Sequence, residues 1–399
     1  MKEVRSLELF PNFFSFQTYD QKKRLAFAIW LLIAVFCVIQ SLITHRYNNY
    51  LIFENTCRNL INQTSFYAGY PAYHFDANHY GPIFSVFFMP FAALPNALGF
   101  MAWNLFNTIV LFKAIETIPI KDKLPLFFVA IPCIASATLS QQFNPASGAF
   151  IILSYTLLNK NKGFWSAMFI ALGTFIKLYG IVGLAFFFFV KDKKRFIAYL
   201  LLWSAIFFTL PMLFSSPDFI LNSYKEWTVS LIHKNASNIV QNNLDISIMG
   251  FIRSIYVNHN LPNTVFLIAG MALFGLPYLN FKAYQKEVFQ VLILASTLMF
   301  PVLFSTGTED CTYIIAVPAV GIWYVLGEKK QWKIWLLWIT IVLTCNFPLL
   351  LFPKVSTAYP FLFTIMSVPF FLIWLFILYK ACMVNRRDLE PALASTQEA

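Results

Sequence analysis

LAFAIWLLIAVFCVIQSLIT, residues 25–44, decides the class of fold, because no charged side chain interrupts it. A helix of about 20 residues rises about 30 Å, the thickness of a bilayer's hydrocarbon layer. Inside that layer every backbone N–H and C=O needs a partner within the segment, so the run is expected to be a spanning helix. A polar tail ending in Lys22, Lys23 and Arg24 precedes it, and no small-residue cleavage site follows. It is therefore expected to be a retained first span and not a signal peptide.

Runs of this kind recur along the chain. Of its 399 residues 59% are hydrophobic, 12% are charged and 46 are Phe, which is more apolar surface than one soluble core can enclose. The surplus must face lipid. The net charge of +11 does not point to nucleic acid, since Lys and Arg stand in short clusters between apolar runs and not among exposed aromatics. Such clusters are retained on the inner side of a membrane during insertion. They fall at Lys22–Arg24, Lys121–Lys123, Lys160–Lys162, Lys191–Arg195, Lys282–Lys286, Lys329–Lys333 and Arg386–Arg387.

Between consecutive clusters the chain must leave and return. That predicts an all-α polytopic bundle of about 12 spans, near 25–44, 99–116, 124–140, 147–158, 163–176, 178–190, 196–214, 262–280, 286–304, 313–326, 333–350 and 360–381. Residues 25–382 form one transmembrane domain, and the tails 1–24 and 383–399 are both cytoplasmic, with the protein in the cytoplasmic (inner) membrane. Residues 82–95 are apolar too, but charge parity leaves them non-crossing, as a re-entrant or interfacial hairpin broken by Pro90 and Pro95. The outer face then receives a first outer loop with this re-entrant segment (45–98), a second outer loop (215–261), and turns at 140–146 and 305–312.

Motifs for phosphate-cradling loops, zinc hydrolases and nucleophile elbows are absent from the sequence, and its six Cys include no CxxC pair, so no cofactor and no metal are expected. Cys57 and Cys311 both fall in outer segments, where a disulfide is one reading and two free thiols the other. Chemistry is expected in RYNNYLIFENTCRNLINQTSFYAGYPAYHFDANHYGPIF, residues 46–84, which carries Asn48, Asn49, Glu54, Arg58, Asp76, His79 and many aromatics. That mixture suits a sugar held by stacking and hydrogen bonds; an interfacial aromatic belt is the alternative. The candidate general bases are Glu54, Asp76, Glu309 and Asp310, with Asp76 and Glu309 ahead of the other two.

Lys177, in GTFIKLYGIVG, is the most informative single residue. A lysine at the centre of a spanning helix costs about 2.5–3.5 kcal/mol, so it faces a cavity, pairs with an anion or snorkels to the interface. The first two options suggest the phosphate of a lipid-borne substrate. Arg253, in DISIMGFIRSIY, supplies a second positive charge for that phosphate or touches lipid headgroups.

In their order these landmarks resemble the C-type membrane glycosyltransferases, and most closely glycosyltransferase family 87, which is polyprenol-phosphate-mannose-dependent. Asn49, Tyr50, Arg58, Leu60 and Tyr67 fall in register with that family's opening pattern, and Tyr80, Gly81 and Pro82 match its second element. Leu94 and Pro95 close that element. Gln142 and Asn144 match a Gly-Gln-x-Asn turn, Lys177 matches a Lys at a break between helices, and Asn243 with Ser247 resembles a later pair.

The resemblance implies transfer of a hexosyl group, mannosyl by analogy, from a polyprenyl-phosphate sugar to a glycan or glycolipid acceptor at the outer face. It places Lys177 at the donor phosphate, where the charge of Arg253 could join it, and Arg58, Tyr67, Tyr80, Gln142, Asn144 and Asn243 at the substrates. Two positions depart from the family. Its catalytic Asp is Asn49 here, and an amide accepts no proton at neutral pH; its His in the last outer turn is Thr312, beside Tyr313. Either Asp76 or Glu309 has taken over as base, or the chain has a different acceptor or is a non-catalytic relative, with Asn49 left to hydrogen-bond acceptor or donor. A transporter or flippase of lipid-linked or polar solutes is the third reading, because transporters too have broken helices and intramembrane charges.

Overall fold

The computed structural model describes residues 18–240, 245–256, 261–328, 330–344 and 361–384, and every regular element among them is helical. Helix α1 (Tyr19–Ile43) opens on a reciprocal cap in which Thr18 Oγ1 accepts from the Gln21 N–H and Gln21 Oε1 accepts from the Thr18 N–H. One stripe of it, Ala26, Trp30, Ala34 and Val38, is fully buried, while Leu32, Phe36 and Ile43 stay exposed as lipid-facing positions do.

Next come α2 (Asn48–Asn62), α3 (Ile83–Ala92) and α4 (Asn96–Glu116). They are followed by α5 (Leu124–Val129), α6 (Ile131–Ser140), α7 (Asn144–Asn159) and α8 (Gly163–Ile176). A 3-10 helix over Leu178–Phe189 leads into α9 (Lys193–Thr209) and α10 (Pro217–Val240). The rest comprises α11 (Ile248–Tyr256), α12 (Asn263–Gly275), α13 (Glu287–Leu303), α14 (Val317–Val325), α15 (Gln331–Thr344), α16 (Phe361–Thr364) and α17 (Ser367–Met383). Four stretches, Tyr19–Ile43, Asn96–Glu116, Lys193–Leu213 and Leu362–Met383, are long and apolar enough to cross a membrane, and shorter apolar helices accompany them. The protein is a multi-span helical membrane protein.

Helices α7 and α13 form the centre, and almost every α13 residue from Val288 to Leu303 is buried. Lipid is as apolar as a leucine side chain, so association of these helices rests on close packing more than on hydrophobic transfer. A close approach joins α8 to the 3-10 helix: a Cβ on Gly180 would lie 2.3 Å from the Gly173 carbonyl carbon, so only glycine fits there.

Among the described residues, the basic clusters at 121–123, 160–162 and 191–195 gather at the end of the bundle where α8 starts and the 3-10 helix finishes. There Asn159 Nδ2 donates to Glu287 Oε1 at 3.2 Å, and Lys380 Nζ donates to the Leu326 carbonyl at 2.5 Å. Lys23 stands 3.5 Å from Glu116.

Three expectations change. The segment 45–98 is not an open loop, since α2 buries Tyr50, Phe53, Cys57 and Leu60 along one face. Pro90 does not break α3 at its own position but lies within the last turn, where it leaves the Val86 carbonyl without its helical N–H two residues before the helix ends. At ten residues α3 rises about 15 Å, half the hydrocarbon layer. The segment 215–261 holds α10 and α11. Cys57 and Cys311 are both buried free thiols.

Candidate active site

Lys177 stands where α8 ends. Its backbone is extended (φ −147°, ψ 116°), so the chain straightens for one residue before the 3-10 helix begins. The freed side chain runs to the start of α7, where Nζ donates to Asn144 Oδ1 at 2.7 Å and lies 3.5 Å from Gln142 Oε1. The ammonium also sits over the rings of Tyr179 at 4.9 Å and Tyr80 at 5.6 Å. Two neutral amides and two ring faces stabilise the cation without cancelling its charge, and so leave it able to attract an anion.

A chain of hydrogen bonds continues from there. Asn144 Nδ2 donates to Gln142 Oε1 at 3.1 Å, and Gln142 Nε2 donates to Glu309 Oε2 at 2.8 Å. Thr312, which replaces the expected His, accepts from the Glu309 N–H at 3.1 Å and so shapes the turn that presents the carboxylate.

Tyr80 is buried between Phe53, in edge contact at 5.1 Å, and Phe84, stacked at 4.5 Å. Its hydroxyl oxygen accepts from the Phe143 N–H at 3.2 Å, and its carbonyl accepts from the Tyr67 hydroxyl at 3.0 Å. Tyr67 thereby fixes the backbone of the Tyr80–Pro82 element and does not line the cavity.

Between this network and α10 lies a cavity of about 330 Å³ whose wall includes Asn49, Asp76, Tyr80, Gln142, Lys177 and Glu309. Asn49 Nδ2 donates to the Ser140 carbonyl at 2.8 Å. Asp76 is exposed, and one of its carboxylate oxygens accepts from the Ala77 N–H at 2.8 Å. His79 Nδ1 is 2.9 Å from Ser230 Oγ on α10. Burial, with Lys234 adding to it, pushes the His79 imidazole down to about 4, so the ring is neutral at neutral pH.

Several expected residues stay apart from the cavity. Arg253 is buried in a pair with Asp245, Nη1 to Oδ2 at 3.1 Å, and its remaining donors reach the Leu261 carbonyl and Asn263 Oδ1. Arg58 pairs with Glu54 one turn earlier on α2, with its guanidinium 5.7 Å over the Tyr73 ring. Asn243 lies outside the described residues.

The wall contributed by α10 was not foreseen. Trp227, Leu231, Lys234 and Asn238 recur at helical spacing and all face the cavity. Trp227 Nε1 donates to the His79 carbonyl at 2.9 Å, which pins α10 across the loop. The Lys234 side chain has no hydrogen bond or ion pair among the described residues, and it lines the same cavity as Lys177. The signal was present in Ser216-Pro217-Asp218, a helix start, with Ser216 Oγ accepting from the Phe219 N–H at 3.3 Å.

The sequence matches the model of glycosyltransferase family 87 over residues 78–306, more than half of the chain. The chain belongs to glycosyltransferase family 87. As a family 87 protein it is a membrane glycosyltransferase, which acts on a sugar donor and an acceptor. Tyr80, Gln142, Asn144, Lys177 and Lys234 lie within the matched span, and Asn49, Asp76 and Glu309 lie outside it. No curated protein matches the chain.

Proposed function

We propose that this family 87 glycosyltransferase moves a hexosyl group, mannosyl by family resemblance, from a polyprenyl-phosphate sugar to a hydroxyl of a glycan or glycolipid acceptor. It does so at the outer face of the cytoplasmic membrane, with both termini cytoplasmic. The observation that carries this reading is the Lys177 ammonium, held by the uncharged Asn144 and Gln142 on the cavity wall. The gathering of basic clusters at the opposite end of the bundle supports the orientation.

In the reaction Asp76 removes the proton of the acceptor hydroxyl. That oxygen forms a bond to the anomeric carbon while the bond to the phosphate oxygen breaks, its electron pair leaving with the phosphate. Lys177 and Lys234 stabilise the charge that builds there. Asp76 suits the base better than Glu309 on position. An inverting displacement needs base and leaving group on opposite sides, and Glu309 is hydrogen-bonded into the Gln142–Asn144–Lys177 chain on the phosphate side. Asp76 is exposed at the cavity rim, where an acceptor arrives. Glu309 then orients Gln142.

The replacement of the family Asp by Asn49 supports a second reading, a non-catalytic relative that still binds the donor. Incubating the purified protein with a panel of polyprenyl-phosphate hexoses and glycolipid acceptors separates the two. Product formation that Lys177→Met abolishes supports the transferase. Donor binding through Lys177 without any product supports the silent relative.

A further inference from the structure

A second and larger cavity, of about 680 Å³, opens at the basic end of the bundle. Its floor is the end of the 3-10 helix at Phe189 and Val190, and its walls come from the starts of α8, α9 and α13. The 12 residues of the 3-10 helix separate it from Lys177. At about 2 Å of rise per residue they place it some 24 Å from the first cavity, a distance close to the thickness of the hydrocarbon layer.

The polar groups on this wall are sorted by charge. The side chains of Lys162 and Lys191 have no hydrogen bond or ion pair among the described residues. Arg195 bonds through Nε to the Tyr199 hydroxyl, and its guanidinium carbon lies 5.5 Å from that ring's centroid, a pairing that leaves the positive charge uncancelled. The carboxylates are already engaged: Asp192 Oδ1 accepts from the Arg195 N–H at 3.0 Å and Glu287 Oε1 from Asn159 Nδ2 at 3.2 Å. Lys162, Lys191 and Arg195 thus bring three positive charges to one cavity with no carboxylate paired to any of their charged groups among the described residues, an arrangement that an anion between them would stabilise.

An apolar rim adjoins the charged wall. Trp165 lines the cavity at 48% exposure, and Ile197, Leu201 and Leu202 on α9 are exposed at 45%, 67% and 48%. Helix α9 belongs to a stretch apolar enough to span the bilayer, so these side chains face acyl chains. A cationic cleft that opens onto a lipid-facing surface matches a ligand with a phosphate at one end and hydrocarbon at the other.

We propose that this cavity seats the headgroup of an anionic phospholipid, with Lys162, Lys191 and Arg195 binding the phosphodiester and Trp165 at the glycerol level. The lipid bridges α8, α9 and α13. The site is separate from the glycosyl-transfer cavity and does not depend on the reaction assigned there.

Native mass spectrometry of the purified full chain in an uncharged detergent tests this, with dioleoyl phosphatidylglycerol and dioleoyl phosphatidylcholine as probes. The wild-type protein is expected to retain one phosphatidylglycerol at least about tenfold more tightly than phosphatidylcholine. Lys162→Gln combined with Lys191→Gln should reduce that preference to near parity. Lys121→Gln combined with Lys123→Gln, in a basic loop that does not line the cavity, should keep it. Equal retention of the two lipids by the wild type overturns the proposal and needs no variant to show it. So does an equal loss in both double variants, which would assign the preference to general loop charge. Displacement of the lipid by millimolar inorganic phosphate would also overturn it, because the cavity would then take a free anion and not a lipid.

Discussion

The backbone N–H of Gly81 donates to the carbonyl of Ile176 at 3.0 Å, and this bond ties the Tyr80–Pro82 element to the break that carries Lys177. The carbonyl belongs to the last turn of α8, which has no further helical N–H to receive, so Gly81 satisfies an orphan acceptor. The approach is close because Gly81 has no side chain. A Cβ there would lie 2.0 Å from the Phe175 carbonyl oxygen and 3.0 Å from the Trp227 ring.

Gly81→Ala should therefore force α8, the Tyr80 element and α10 apart. The expected loss is about 1–3 kcal/mol, typical of overpacking, read as a lower melting temperature. Donor affinity should fall with it, since Lys177 moves with the end of α8. A variant that melts and binds like the wild type would mean that the contact relaxes freely.

Lys177→Met keeps the length of the side chain and removes its charge. Retention of a polyprenyl-phosphate sugar should weaken by about tenfold or more, as expected on loss of a charge-assisted hydrogen bond to phosphate. Lys234→Met should weaken it in the same direction while leaving the Asn144–Gln142 chain intact. Unchanged donor binding in both variants would exclude the lysine pair as the phosphate site.

Asp76→Asn and Glu309→Gln distinguish the two carboxylates. Asp76→Asn should lower the rate of transfer by about 100-fold or more with donor binding retained, the usual effect of removing a positioned base. Glu309→Gln should act on donor binding through Gln142, with a smaller effect on the chemical step. The reverse pattern in single-turnover kinetics would assign the base to Glu309.

Arg253→Met should destabilise the protein and spare donor affinity. It leaves the Asp245 carboxylate buried without its partner, a change that costs about 3–5 kcal/mol in comparable buried pairs. A normal melting temperature with lost donor binding would instead return Arg253 to the substrate.

His79 predicts a pH dependence with a definite sign. Unfolded, its imidazole takes up a proton as the pH falls through 6.5; folded, it resists until about 4. In that interval the unfolded state binds more protons, so stability present at neutral pH is lost as the pH falls from 6.5 toward 4. The contribution is on the order of 2 kcal/mol after allowance for partial solvent screening. His79→Asn should flatten the melting temperature across that range, and an unchanged slope would locate the titration elsewhere.

The amino-acid sequence by itself determined the membrane class and the helical fold, and it singled out Lys177, Gln142 and Asn144, which the fold brings within hydrogen-bond reach of one another. These features are local. Lipid offers no partner to a backbone group, so a spanning segment must be continuously apolar, and one lysine within such a stretch stands out against its neighbours. Only the tertiary structure decided which charges are free to meet a substrate. In the sequence Arg253 is a second positive charge that either joins Lys177 or touches lipid headgroups; in the fold Asp245 lies within reach and pairs with it, whereas the contacts of the Lys177 ammonium among the described residues are amides and ring faces. The same holds for α2 and α10, which were mistaken for loops because their apolar faces are narrow and polar residues fill the rest. Such helices are stabilised by packing one face against distant segments, as Trp227 does against His79, and no window of sequence contains both sides of that contact.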